Sequence, residues 1–128
     1  MSKPYYVKFE MPKELVNAIY EAIRIAKESG KVRKGTNEAT KAIERGTGRL
    51  IVIAEDVEPP EVVAHLPILC EERSSPYVFV PSKQRLGQAL GIDVPSAAAC
   101  ITDAGEGQHI VDQIVNSVGS LRKGAKKE

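Results

Sequence analysis

Asn37, Glu38 and Lys41 set an amide, a carboxylate and an ammonium within five positions of the segment Val32-Arg-Lys-Gly-Thr-Asn-Glu-Ala-Thr-Lys41. Arg33, Lys34 and Gly35 stand just before them, at what reads as the first turn of a helix. Backbone N–H groups at a helix start, with flanking lysines, suit a phosphate. A phosphate backbone alone would repel Glu38, whereas a guanine would not. Its N1–H and N2–H₂ are donors that a carboxylate accepts, and its O6 and N7 are acceptors suited to Asn and Lys. The set therefore matches a reader of guanine edges in a basic frame. In RNA such edges open to a helix only where regular pairing is broken and a groove is widened. Glu38 also has a plainer account. A first-turn acid complements the helix dipole and can pair with Lys41 at i+3, worth a few tenths of a kcal/mol. That account leaves Asn37 and the Arg33-Lys34-Gly35 approach unexplained.

Other chemistry fits less well. Gly30 to Gly35-Thr36 has the glycine spacing of a P-loop, but the lysine that must follow the second glycine is missing. Glu55, Asp56, Glu58 and Glu61 could form a two-metal carboxylate cluster for a hydrolase or nuclease. Their place before a helix start marked by Pro59-Pro60 gives them a simpler role opposite the helix dipole. His65 and His109 have no Ser or Cys partner nearby in the chain. The two glycines of Asp103-Ala-Gly-Glu-Gly107 are a weak dinucleotide signal. Cys70 and Cys100, thirty positions apart in apolar surroundings, have neither CxxC spacing nor a histidine cluster and read as buried thiols in a reducing compartment. No metal, cofactor or catalytic residue is expected.

The elements that must position this set follow from periodicity. Leu15, Ile19, Ala22, Ile23 and Ala26 form a helical stripe that stops at Gly30. Val32 lies in a short strand, and Thr36 is expected to cap a helix that ends at Gly46. Leu50 to Ala54 is an apolar run suited to a strand covered on both faces. Helix follows from Pro60 and is expected to break at Pro67 into two short pieces. Tyr77 to Val80 is a strand, Ser82 caps a helix running to Gly91, Ala97 to Ile101 is a further strand, and Ile110 to Leu121 marks a last amphipathic helix. This order predicts an α/β fold, a three-layer α/β/α sandwich around a small, about four-stranded mixed sheet. With 128 residues, 42% apolar, the chain fits one domain over residues 1–121, and residues 122–128 read as a basic, disordered tail. Leu50 to Ala54 is too short to span a bilayer and the first residues have no apolar leader core, so a soluble cytoplasmic protein without a membrane partner is expected.

Net charge is +1, but it is segregated. Residues 31–49 carry six basic and two acidic side chains, residues 50–73 one basic and six acidic, and residues 122–128 four basic and one acidic. A positive face opposite a negative one suits a domain that binds a polyanion in one orientation. Ile92 and Val94 lie between Gly91 and Pro95 on a segment expected to be exposed, where apolar residues usually need a reason. The alternative is that they tuck under the last strand.

Three segments carry a resemblance: RKGTNEATKAIERG, then AEDVEPPEVVAHLPILCEE, then PYVFVPSKQRLGQALG. Together, from about Leu15 to Ile114, the chain resembles the kink-turn-binding ribosomal protein family, most closely its archaeal large-subunit branch of the L-seven-Ae type. The resemblance implies a single RNA-binding domain without catalytic activity. Its partners would be kink-turns in ribosomal RNA and in the box C/D and H/ACA guide ribonucleoproteins, the RNA of ribonuclease P, and other ribonucleoprotein proteins. By matching motif, Asn37, Glu38 and Lys41 would read the guanines of tandem sheared G·A pairs, with Lys34 and Gly35 at the backbone; Arg33 is expected to bind RNA as part of the basic frame. A second family element, which would hold the flipped-out nucleotide, falls on Glu58, Val62, Lys83 and the loop containing Ile92, Val94 and Ala97. Some relatives carry a basic residue where Val94 stands, so apolar packing is expected here. Two other readings remain: a structural or protein-bridging ribosomal protein using the acidic residues 50–73, and a carboxylate-metal hydrolase.

Overall fold

Leu50-Ile-Val-Ile-Ala, strand β2 (Leu50–Ala54), is buried at every position, so both of its faces must be covered. In the computed structural model, which describes residues 4–126 and the side chains of residues 4–121, the covering is done by five helices. The remaining elements are α1 (Lys13–Ser29), β1 (Lys31–Lys34), α2 (Thr36–Arg45), α3 (Glu61–Arg73), β3 (Tyr77–Val80), α4 (Lys83–Ala89), β4 (Ala98–Asp103), a 3-10 turn (Gly105–Gly107) and α5 (Gln108–Lys126). The strands form one mixed sheet in the order β1-β4-β2-β3. β4 runs antiparallel to both β1 and β2, and β2 runs parallel to β3. Helices α2 and α3 pack together as one layer; α1, with α4 and α5 against it, makes the other. The expected three-layer α/β/α architecture is what the chain adopts.

Helix α1 buries Val16, Ile19, Tyr20, Ala22, Ile23 and Ala26 along one stripe and stops at Gly30. There the polypeptide passes so close to β4 that a Cβ on Gly30 would lie 2.0 Å from the Asp103 carbonyl oxygen. Segment 4–12, which has no period to read, supplies Tyr6 and Phe9 to the core. Phe9 packs 5.2 Å from Phe79 and 5.8 Å from Tyr77, ring centre to ring centre, which covers the outer strand β3. The Tyr6 hydroxyl donates to the Ala54 carbonyl at 2.7 Å, and burial pushes its pKa up to about 12. Cys70 and Cys100 are buried thiols.

Three local expectations differ from the structure. Pro67 does not divide its helix: α3 is continuous, with Val63, Leu66, Pro67 and Cys70 all buried on one side. An interior proline costs roughly 3 kcal/mol, and full burial of Val63 and Leu66, at about 1.5–3 kcal/mol each, offsets it. The residue that caps α2 is Gly35 rather than Thr36, which is already helical. Helix α5 continues past residue 121 to Lys126, and residues 127 and 128 lie outside the described residues.

Candidate nucleic-acid interface

Because β1 and β2 both run antiparallel to β4, they are parallel to one another and to β3. The carboxyl ends of β1, β2 and β3 and the amino end of β4 therefore meet at one edge of the layer. In open α/β sheets ligands gather at the carboxyl ends of strands. All twelve residues singled out from the sequence lie on or beside the four connections at this edge. Arg33 and Lys34 end β1 and Gly35 to Lys41 follow it, Glu58 and Val62 follow β2, Lys83 follows β3, and Ile92, Val94 and Ala97 precede β4.

The turn from β1 into α2 is made by Gly35, at φ +96°. A Cβ there would meet nothing within 4 Å, so glycine is required by backbone conformation and not by space. The Gly35 N–H donates to the Ala98 carbonyl at 2.9 Å, which ties the start of α2 to the start of β4. No side-chain hydrogen bond caps α2, and Asn37 in its first turn is exposed. Glu38 and Lys41 are about half exposed and stand 3.5 Å apart as an i,i+3 ion pair. This places the carboxylate and the ammonium on one face, where each would meet the complementary edge of a base. Strand alternation then sorts the basic frame. Arg33 lines a recess of about 360 Å³ with Glu38 and Lys41, whereas Lys34 does not. Lys31 and Arg45 line the same recess and were not singled out from the sequence. Their signal was the helical step from Lys41 to Arg45 and the two-residue step from Arg33 to Lys31.

The second group is knitted by main-chain bonds. The Lys83 N–H donates to the Asp56 carboxylate at 2.8 Å, and the Lys83 carbonyl accepts from Ser96 N–H at 3.0 Å. The Ala97 carbonyl accepts from Ala54 N–H at 2.9 Å. Loops 55–60, 81–82 and 91–97 are thereby held against one another. Val94 is 61% exposed and Val62 43%, while Ile92 is half-buried against the core. Ile92, Val94 and Pro95 form the apolar side of a recess of about 230 Å³ whose polar side is Gln84, Gln88 and Asp93. Val94 therefore does not tuck under β4. Helix α4 touches this loop so closely that a Cβ on Gly87 would lie 2.1 Å from the Val94 carbonyl oxygen.

The rival arrangements have little support. The stretch between Gly30 and Gly35 is strand β1, paired with β4, and not a loop that could wrap a phosphate. Asp56 is engaged by the Lys83 amide, and no three His, Cys, Asp or Glu side chains among the described residues converge on a metal position. No helix among the described residues is long and apolar enough to cross a membrane.

The chain matches the model of the Ribosomal protein L7Ae/L30e/S12e/Gadd45 family over residues 17–111. It is 70% identical over 124 residues to the large ribosomal subunit protein eL8 of Nitrosopumilus maritimus, covering 97% of each chain. It is also 70% identical over 122 residues to eL8 of Cenarchaeum symbiosum, covering 95% of this chain and 96% of that one. Among solved structures it resembles the Giardia lamblia 15.5kD RNA binding protein, with a TM-score of 0.82 and 35% identity over 87% of this chain and 92% of the other. These are ribosomal and RNA-binding proteins and not enzymes. Since the family match spans both the α2 turn and the loop before β4, and the identity to the eL8 proteins extends over nearly the whole sequence, the chain belongs to the L7Ae/L30e/S12e/Gadd45 family of ribosomal proteins.

Proposed function

We propose that this protein binds RNA and selects kink-turns, in which tandem sheared G·A pairs flank a flipped-out nucleotide. The observation that carries the proposal is the meeting, at one end of the sheet, of the helix turn bearing Asn37, Glu38 and Lys41 and an apolar recess. Asn37, Glu38 and Lys41 accept and donate to guanine edges. Arg33, Lys34 and the first-turn amides that follow Gly35 hold the bent phosphate backbone. Ile92, Val94 and Pro95 supply an apolar wall for the extruded base, and Val62, Ala97, Glu58 and Lys83, on neighbouring segments at the same end of the sheet, are assigned to its surroundings. An extruded base loses its stacking partners, and burial against this wall returns roughly 25 cal/mol per Å² of apolar area. The eL8 relatives, whose name places them in the large ribosomal subunit, and the Giardia RNA-binding neighbour support this reading. Its targets are kink-turns in ribosomal RNA, in the box C/D and H/ACA guide RNAs and in ribonuclease P RNA, with other ribonucleoprotein proteins as neighbours in the cytoplasm.

The test compares a kink-turn oligonucleotide with the same RNA whose G·A pairs are replaced by Watson–Crick pairs. Affinity for the first is expected to exceed that for the second by at least about thirtyfold, since two or more base contacts at about 1–3 kcal/mol each are lost. A ratio near one would instead favour a ribosomal or protein-bridging role that is indifferent to RNA shape.

A further inference from the structure

Helices α2 and α3 each bring one half of this site, Asn37, Glu38 and Lys41 on α2 and Val62 on α3. Arg73 Nη1 donates to the Glu44 carbonyl at 3.3 Å at the carboxyl ends of the two helices, and beside the site a second polar chain joins them. The Thr40 hydroxyl donates to the Thr36 carbonyl at 2.8 Å. It also lies 3.0 Å from His65 Nε2. A threonine hydroxyl has a single proton, and the Thr36 carbonyl takes it. The contact to the imidazole must then run the other way, with His65 Nε2–H donating to Thr40 Oγ1. The proton is thus fixed on Nε2 by the arrangement of its neighbours.

The ends of this chain are what give it meaning. Thr36 is the first residue of α2, between Gly35 and Asn37. His65 lies three residues after Val62, so both project from the same side of α3 in successive turns. Thr40 lies two residues after Glu38 and one before Lys41, half-buried between the helices. We infer that His65 is a positioning residue: through Thr40 it sets the separation and rotation of the guanine-reading turn relative to the wall for the extruded nucleotide. His65 itself touches no RNA in this assignment. Because it is exposed, its hydrogen bond competes with water and contributes only modestly to folding, so Tm is measured beside affinity to separate an effect on binding from one on stability. The inference rests on the kink-turn reading and adds to it a device that makes the two half-sites act together.

The experiment uses the full chain and three variants, His65→Leu, His65→Gln and Thr40→Val, with the double variant His65→Leu/Thr40→Val. Glutamine carries an N–H₂ donor at the reach of Nε2, and leucine carries none. Affinities are measured for the kink-turn oligonucleotide and for the same oligonucleotide with an abasic site at the extruded position, alongside Tm. On the intact kink-turn, His65→Leu and Thr40→Val are each expected to weaken binding about 3- to 5-fold, the scale of one hydrogen bond. The double variant is expected to match the single ones, and His65→Gln to restore binding. On the abasic RNA only one half-site is engaged, so the loss is expected to vanish. Equal losses on both RNAs, additive losses in the double variant, or no loss with a lowered Tm would each overturn the inference while leaving kink-turn selectivity intact. Failure of the unaltered protein to prefer kinked over Watson–Crick-paired RNA would remove both.

Discussion

Glu38 and Lys41 form an exposed ion pair at 3.5 Å, and such a pair contributes only a few tenths of a kcal/mol to its helix. That is too little to make either residue important for folding. In an RNA complex, by contrast, a buried base contact is worth about 1–3 kcal/mol in discrimination. Asn37→Ala and Glu38→Ala are therefore each expected to weaken kink-turn binding by about 1–3 kcal/mol and to blur the preference for G·A pairs, with little change in Tm. Lys34→Ala is expected to behave differently. It would weaken all RNAs by a similar factor and reduce the slope of log K against log salt by about one. Fluorescence anisotropy titrations at several salt concentrations separate the two kinds of residue. Should Glu38→Ala bind normally and only melt earlier, its part is limited to the helix dipole.

At the level of elements, the loop before β4 is shaped by the helix behind it. With its Cα facing the Val94 carbonyl, Gly87 admits no side chain unless the loop moves away. Gly87→Ala is expected to push Val94 outward, lowering kink-turn affinity about tenfold, on the scale of the 1–3 kcal/mol cost of overpacking, while Asn37 and Glu38 still discriminate G·A pairs. Unchanged affinity for the kink-turn would mean that the loop's position does not matter for binding. The elements differ in how readable they were. β2 and α1 could be drawn from the sequence because burial on two faces, or on one stripe, leaves a pattern in consecutive residues. Asn37, Glu38 and Lys41 were legible as a cluster for a similar reason, since they lie within about one helical turn. Pro67 misled because local helix cost was visible and the burial that offsets it was not. Tyr6 and Phe9 gave no warning at all: the Tyr6 hydroxyl meets Ala54, forty-eight residues further along the chain, through a contact that only the finished fold creates. The His65–Thr40 bond, twenty-five residues apart, was hidden in the same way.

For the molecule as a whole, the buried acids determine how stability responds to base. Burial pushes the Cys100 thiol up from 9.0 to about 12, with Arg33 acting in the opposite sense. Burial likewise pushes Tyr6 from 10.0 to about 12 and raises Tyr20 above 10.0. In the unfolded chain these groups lose their protons first, so the unfolded state binds fewer protons between pH 9 and 12. Stability is therefore complete below about pH 9 and falls as pH rises towards 12. Thermal melts from pH 7 to pH 11 are expected to show this decline, and Tyr6→Phe and Cys100→Ala are each expected to make it shallower. A Tm that stays level from pH 9 to pH 11 would contradict the assignment.

Strand β1 ends the sheet, and no strand pairs with its outer side among the described residues. An open strand edge is a template on which a second copy can add its own, the first step of aggregation. Of the four residues of β1, Lys31, Arg33 and Lys34 are exposed and charged, and only Val32 is half-buried. Charged side chains on an open edge disfavour pairing with a second copy, so the basic residues proposed to meet RNA are expected also to protect this edge when no RNA is present. Replacing Lys31, Arg33 and Lys34 together by valine is expected to produce scattering particles in concentrated solution at neutral pH; a clear solution would show that the edge is shielded by something other than charge.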